Sequence, residues 1–166
     1  MIKPMNTPTN TRRAFLLTLP ALTLAGCGFR LRGINAMPFA SAWVEAASNS
    51  RVADELRQQI ESQNRLAATP DKAERILLLT EERVEKHILS LSGAGRVNEY
   101  RLRLLLTAQV RDAMGRSIAG PIKLQAQRDF SFSDAQALAK QNEEAMLMRD
   151  MALELTRQII VLASRQ

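Results

Sequence analysis

Glu99-Tyr100-Arg101-Leu102-Arg103-Leu104-Leu105-Leu106-Thr107-Ala108-Gln109-Val110-Arg111 is the stretch that decides the fold. Side chains alternate along an extended strand, so Tyr100, Leu102, Leu104, Leu106, Ala108 and Val110 share one face. Glu99, Arg101, Arg103, Thr107, Gln109 and Arg111 share the other. A strand with one apolar face needs a cover on that side and leaves the opposite side to water or a polar partner. On the C-terminal side, Asp112-Ala113-Met114-Gly115-Arg116 supplies a turn. After it Ile122, Leu124, Ala126, Phe130 and Phe132 alternate with Lys123, Gln125, Gln127, Asp129 and Ser131. On the N-terminal side lies the turn Ser92-Gly93-Ala94-Gly95, preceded by Arg75 to Leu91. That segment opens with Ile76-Leu77-Leu78-Leu79 and runs through charges to Ile88, Leu89 and Leu91, one long strand with an irregular middle. Three strands joined by short turns form an antiparallel meander.

The cover comes from two amphipathic helices. From Arg51 to Asn64, Val52, Leu56 and Ile60 fall four apart among charged and amide residues, and Ser48, Asn49 and Ser50 offer N-cap oxygens. From Ala135 to about Ala163, after a Ser133-Asp134 cap, Leu138, Ala145, Met148, Ala152, Leu155, Ile159 and Leu162 mark one apolar stripe. Lys140, Glu143, Glu144, Arg149, Asp150 and Arg157 fall on the opposite side. Phe39 to Ala46, with Trp43 and Val44, reads as a first strand. The predicted fold class is α+β: a two-layer sandwich of an about four-stranded, largely antiparallel sheet with both helices on one face. The other face carries Arg101, Arg103, Gln109, Lys123 and Gln127.

The N-terminal end decides where the protein resides. Lys3, Arg12 and Arg13 precede an apolar run from Ala14 to Leu24, which ends in Leu24-Ala25-Gly26-Cys27. That is the layout of a secretory signal, and the run is shorter than the roughly 20 residues a membrane span needs. Leu-Ala-Gly-Cys resembles the lipobox of bacterial lipoproteins, in which the thiol receives diacylglycerol, the preceding peptide is removed and the new amino terminus is acylated. The expected boundaries are therefore 1–26, a removed signal peptide, and 27–166, a single domain with a lipidated N-terminus. Acyl chains anchor such a protein, each buried methylene contributing about 0.8 kcal/mol. Gly28 follows the cysteine where an Asp would favour retention in the inner membrane, so the resemblance points to the outer membrane. Thr11-Arg12-Arg13-Ala14-Phe15-Leu16 also resembles a twin-arginine export signal, and an ordinary basic n-region accounts for it as well.

Removal of 26 of the 166 residues leaves 140, enough for one domain with a real core. Three of the 23 Lys and Arg lie in the signal and none of the 17 Asp and Glu does, so the +6 of the whole chain becomes 20 against 17, or +3. Cys27 is the only cysteine, so once lipidated it leaves no disulfide, thiol nucleophile or zinc framework.

Three motifs carry a family resemblance: Cys27-Gly28-Phe29-Arg30-Leu31-Arg32-Gly33, then Asn98-Glu99-Tyr100-Arg101-Leu102, then Phe130-Ser131-Phe132 followed by Ala137-Leu138-Ala139-Lys140-Gln141-Asn142-Glu143-Glu144. In this order along the chain they resemble the LptE family of lipopolysaccharide-assembly lipoproteins. The resemblance implies a plug inside the barrel subunit LptD of the outer-membrane translocon, on the periplasmic side and in the barrel lumen. It implies help in barrel assembly and binding of lipopolysaccharide on its way to the cell surface. It implies no catalysis and no cofactor beyond the N-acyl and S-diacylglycerol lipid on Cys27. Family members contact lipopolysaccharide through a basic residue in the hairpin between the second and third strands and a lysine early in the last helix. Lys140 matches the second. For the first, Gly93 stands where the arginine is expected and Arg96 lies a few residues later, so the resemblance implies Arg96 and Lys140 as the lipopolysaccharide-binding pair. Each also fits a solvated surface residue, as do Arg101 and Arg103 on the polar face.

Other classes find little support. His87, the only histidine, has no nucleophile or ligand partner at usable spacing and reads as a surface residue. Glu143 and Glu144 are adjacent on a helix and point about 100° apart, a structural pair rather than an acid/base couple. Met146-Leu147-Met148 reads as core or partner contact. A hydrolase lacks Gly-x-Ser-x-Gly, His-Glu-x-x-His and a free thiol. Nucleic-acid binding is disfavoured by export and by a mature charge of only +3, obtained from 20 basic and 17 acidic residues. An auxiliary lipoprotein of an ABC-type phospholipid or toxin transport system is the alternative reading.

Cys27→Ser removes the thiol that would be alkylated. Metabolic labelling with a fatty-acid analogue should mark the wild type and not the variant; label on the variant would overturn the lipobox assignment.

Overall fold

The apolar alternation around Leu104 becomes the buried centre of a four-stranded sheet. In the computed structural model, which describes residues 37–133 and 136–164, β1 (Ala42–Glu45) leads into α1 (Arg51–Glu61). Then follow β2 (Arg75–Leu91), β3 (Val97–Asp112), β4 (Ser117–Ser131) and α2 (Ala137–Ala163). The sheet order is β1-β2-β3-β4, with β1 parallel to β2 and the other pairs antiparallel. Both helices bury their stripes on one sheet face in a single core, the expected α+β sandwich.

On β3 the alternation is strict: Leu102, Leu104, Ala108 and Val110 are fully buried, while Arg101, Arg103, Thr107 and Gln109 keep partial access to solvent. In α1, Val52, Leu56 and Ile60 are buried as their spacing predicts, joined by Ala53. Ser50 is its N-cap, its Oγ accepting from the Ala53 N–H at 3.0 Å. The same hydroxyl donates to the Glu82 carboxylate, which also accepts from the Arg51 N–H at 2.9 Å. Glu82 reaches the helix because β2 carries a bulge between Thr80 and Arg83, with Glu81 at φ +56°. The irregular middle of β2 is therefore the device that brings a carboxylate to the positive end of α1.

Several boundaries differ from the sequence reading, among them α1, which ends at Glu61 and not at Asn64 because the chain turns left-handed there, with Asn64 at φ +55°. The first strand is shorter than 39–46, because the backbone ahead of Ala42 is held by side chains instead of a ladder. Ala40 N–H donates to Glu74 Oε2 at 2.6 Å, and the Arg65 guanidinium donates to the Met37 and Phe39 carbonyls. α2 begins at Ala137 with Gln136 as an N-cap that makes no side-chain cap bond; Ser133 instead accepts from the Gln136 N–H at 3.0 Å through its carbonyl, and Asp134 lies outside the described residues. The apolar stripe of α2 is buried only from Met148 onward, through Met151, Ala152, Leu155, Ile159 and Leu162. Leu138 is 75 % exposed and Ala145 is exposed as well. The groove between the helices runs from Arg51 to Gln58 on α1 and from Ala145 to Leu153 on α2, so the earlier turns of α2 have no helix on that flank.

Strand lengths are unequal too. β2 has 17 residues, a span of roughly 55 Å, whereas α1 has 11 and spans roughly 16 Å. β1 pairs only with Arg75 to Leu78, so from Leu79 to Leu91 no described strand borders β2 on that side. The β2–β3 hairpin thus extends past α1, with only the first turns of α2 beside its outer part.

Gly120 marks a tight spot in β4. Its φ is +87°, and a Cβ there would stand 2.5 Å from the Ala108 carbonyl oxygen on β3. Gly120→Ala is expected to lower stability by more than the ~1–2 kcal/mol of the left-handed conformation alone, since backbone must also move. Leu104→Asp, which buries an unpaired carboxylate, should cost several kcal/mol. Arg103→Gln on the opposite face should cost at most ~1 kcal/mol. Thermal melts of the three variants check this order, and equal melting of the Leu104 and Arg103 variants would overturn the assigned faces.

Candidate functional site

Antiparallel pairing brings the expected binding residues to one end of the sheet. Arg96 closes the β2–β3 turn: Ser92 N–H donates to the Arg96 carbonyl at 2.7 Å, and Arg96 N–H donates to Ser92 Oγ at 3.1 Å. Gly95, at φ +75°, supplies the left-handed residue this turn needs. The Arg96 side chain is exposed and makes no ion pair among the described residues.

Lys140 is the fourth residue of α2, and the structure places it differently from the solvent-facing position expected. Its side chain is only 14 % exposed, and its Nζ donates to Ser131 Oγ at 3.0 Å and to Glu143 Oε2 at 2.7 Å. Ser131 lies opposite Glu99 in the β3–β4 register, and Arg96 is three residues farther toward the turn, roughly 10 Å along the strand. Arg96 and Lys140 therefore share the hairpin end. Glu144 also departs from the expected outward position, because it accepts from Lys86 Nζ of β2 at 2.6 Å. Glu143 and Glu144 are structural anions, each holding one lysine.

Lys86 was not singled out by the sequence. It sits opposite Leu102 on the helix side of the sheet, with its Nζ 4.5 Å from the centroid of Tyr100 and 5.5 Å from that of Phe130. Tyr100 stacks on Phe130 at 5.8 Å and meets Phe132 edge-on at 5.3 Å, so an aromatic floor underlies the ammonium. Across Leu102 in the same rung stands Arg128, whose guanidinium donates to Glu154 of α2 at 2.8 Å. The available signal was a long basic residue at an inward position of an alternating strand: Lys86 between Val84 and Ile88, and Arg128 between Ala126 and Phe130.

Much of the charge on the polar sheet face is paired within that face. Glu85 accepts from Arg83 at 3.1 Å and from Arg103 at 3.0 Å and lies 3.2 Å from His87 Nε2, while Arg103 also donates to Gln125 at 2.9 Å. Arg101 grips both oxygens of Asp129 at 2.7 and 2.8 Å. Hydrogen bonding with His87, then with Arg83, holds the Glu85 carboxyl below its ordinary range, and the Arg101 hydrogen bonds do the same for Asp129. Arg101 and Arg103 are thus occupied, and His87 is an exposed member of this network. Met146 is exposed while Met148 is buried, so the methionine cluster divides between surface and core. Among the described residues no group of three or more His, Cys, Asp or Glu is arranged to hold a metal ion. Cys27 and its lipobox lie outside the described residues, as does the Cys27–Gly33 motif.

The model of a family described as LptE, lipopolysaccharide-assembly, matches residues 38–161. The LPS-assembly lipoprotein LptE of Photorhabdus laumondii is 28 % identical over 149 residues, 87 % of this chain and 81 % of the relative. Lipoprotein B of Nitrosomonas europaea, solved by solution NMR, superposes with a TM-score of 0.66 at 32 % identity, over 82 % of this chain and 91 % of that one. The rare lipoprotein B of Shewanella oneidensis shares the fold, with a TM-score of 0.60 at 22 % identity over 72 % and 90 % of the two chains.

The depressed carboxyls give a signed expectation for acid. A group whose folded pKa lies below its unfolded value stabilises the fold above the unfolded value, and that contribution is lost as pH falls through the folded one. For Asp129, whose ordinary value is 3.8, the loss falls below that pH. Asp129→Asn should therefore melt below the wild type at neutral pH, with the gap closing as acid protonates the wild-type carboxyl. Melting curves across a pH series test this, and a gap independent of pH would remove Asp129 from the acid response.

Proposed function

The chain belongs to the LptE family of lipopolysaccharide-assembly proteins, and on that premise we propose that it is an outer-membrane lipoprotein that plugs and helps assemble the LptD barrel and binds lipopolysaccharide. The observation that supports the binding part is that Arg96, exposed and in no ion pair among the described residues, shares the hairpin end with Lys140, which is held there by Ser131 and Glu143. Cations at a projecting end suit the phosphates of lipid A and the core, because charge-assisted hydrogen bonds to phosphate are about twice as strong as neutral ones. A polar sheet face with much of its charge internally paired suits a water-filled lumen lined by polar side chains. The lipid on Cys27 would tether the domain at the periplasmic leaflet, and the action is binding and assembly rather than catalysis. The family match favours this reading over the ABC-type auxiliary lipoprotein.

Arg96→Asp combined with Lys140→Asp replaces two donors by two repulsive charges. Lipopolysaccharide affinity should fall at least about tenfold, equivalent to ~1.4 kcal/mol, while the barrel still co-purifies at equal stoichiometry. Titration with lipopolysaccharide, a melting curve and extraction from membranes separate the outcomes. An unchanged affinity in a folded variant would return both residues to the solvated surface, and absence of a co-purifying barrel from the wild type would overturn the plug assignment.

A further inference from the structure

On β2, Val84, Lys86 and Ile88 face the helix side together, opposite Leu104, Leu102 and Tyr100 of β3. In most of the sheet that side is core, yet here Val84 is 46 % and Ile88 57 % exposed. The cause is geometric: α1 begins at Arg51, beside Glu82, so nothing in α1 covers the strand farther out. What remains open is an apolar, cationic, apolar strip along one edge of the aromatic floor formed by Tyr100, Phe130 and Phe132.

We propose that Lys86, flanked by Val84 and Ile88, extends the lipopolysaccharide site: its ammonium takes a phosphate of the lipid A portion while Val84 and Ile88 take the adjoining acyl chain. This rests on the lipopolysaccharide-binding reading above. The two lysines are held by consecutive residues of α2, Glu144 for Lys86 and Glu143 for Lys140, so both stand beside the same turn of that helix, on different sides of it. An ammonium has three donors, and Lys86 spends one on Glu144 among the described side chains, which leaves capacity for a phosphate oxygen. The aromatic faces hold that charge in place without a second anion. Glu144 then acts as an internal competitor that a more highly charged phosphate displaces. An apolar pair beside the cation matches an amphiphile, in which phosphate and acyl chain are close neighbours, better than a soluble anion.

The test uses the full chain purified in detergent, titrated with lipopolysaccharide and with the same lipopolysaccharide after phosphatase treatment. Lys86→Gln should weaken binding of the intact ligand about fivefold or more and change binding of the dephosphorylated ligand less than about twofold, as expected of a charged contact to phosphate. Lys86→Arg should retain most of the affinity. Glu144→Gln, which removes the competitor and keeps the cation, should tighten binding of the intact ligand. Affinity in Lys86→Gln equal to the wild type, or equal losses for both ligands, overturns the proposal, as does Glu144→Gln binding no more tightly. A wild type that fails to bind lipopolysaccharide overturns the function reading along with it. Loss of affinity in the Arg96 and Lys140 double variant but not in Lys86→Gln overturns this inference alone.

Discussion

Leu102, Leu104, Leu106, Ala108 and Val110, the inward side chains of β3, form the fully buried middle of the sheet's core face. Each leucine buried there contributes about 1.5–3 kcal/mol; α2 packs over β3 and β4, and α1 packs over β1 and against α2. Position follows from this contact. β2 and β4 are placed by pairing with β3 on either side, and their outward ends are then where an antiparallel register must leave them. The hairpin end, with its basic residues, lies beyond the reach of α1 and beside the first turns of α2.

Ionic ties refine what the apolar contact sets. Lys86 and Arg128 flank Leu102 in one rung, and each reaches up to a glutamate of α2. The two glutamates are ten residues apart, about 15 Å along the helix axis. These pairs are partly exposed and individually weak. Their use is registration: Glu154 among the buried turns and Glu144 ahead of Met148 fix where α2 lies along the sheet, and so where Lys140 stands relative to Ser131.

Much of this was legible because period and chemistry agreed. The two-residue alternation of β3 and β4 and the four-residue spacing of Val52, Leu56 and Ile60 each named an element and its buried face. Leu138 and Ala145 misled because helical periodicity reports which residues share a stripe, not how far the partner surface extends under it. The edges of the first strand were hidden for another reason: Arg65 and Glu74, both distant in sequence, satisfy the backbone that a ladder would otherwise use. In the candidate site Lys140 was found by a motif, yet its burial depended on Ser131 and Glu143, which no single-strand pattern reveals. Lys86 was passed over because a charge at an inward position looks like an interruption until its helix partner is known.

One edge of this sheet has a further consequence. From Leu79 to Leu91, β2 offers backbone donors and acceptors with no neighbouring described strand, and a protein anchored by lipid as proposed would meet its own copies at high density in two dimensions. Such an edge invites strand-to-strand stacking between molecules. This edge is poorly suited to it: Glu81, Glu82, Arg83, Glu85 and Lys86 crowd it with charge, and irregularities after Thr80 and after Ile88 break its flatness. The same bulge that sends Glu82 to cap a helix therefore also works as protection against fibrous self-association along the open edge of a long strand.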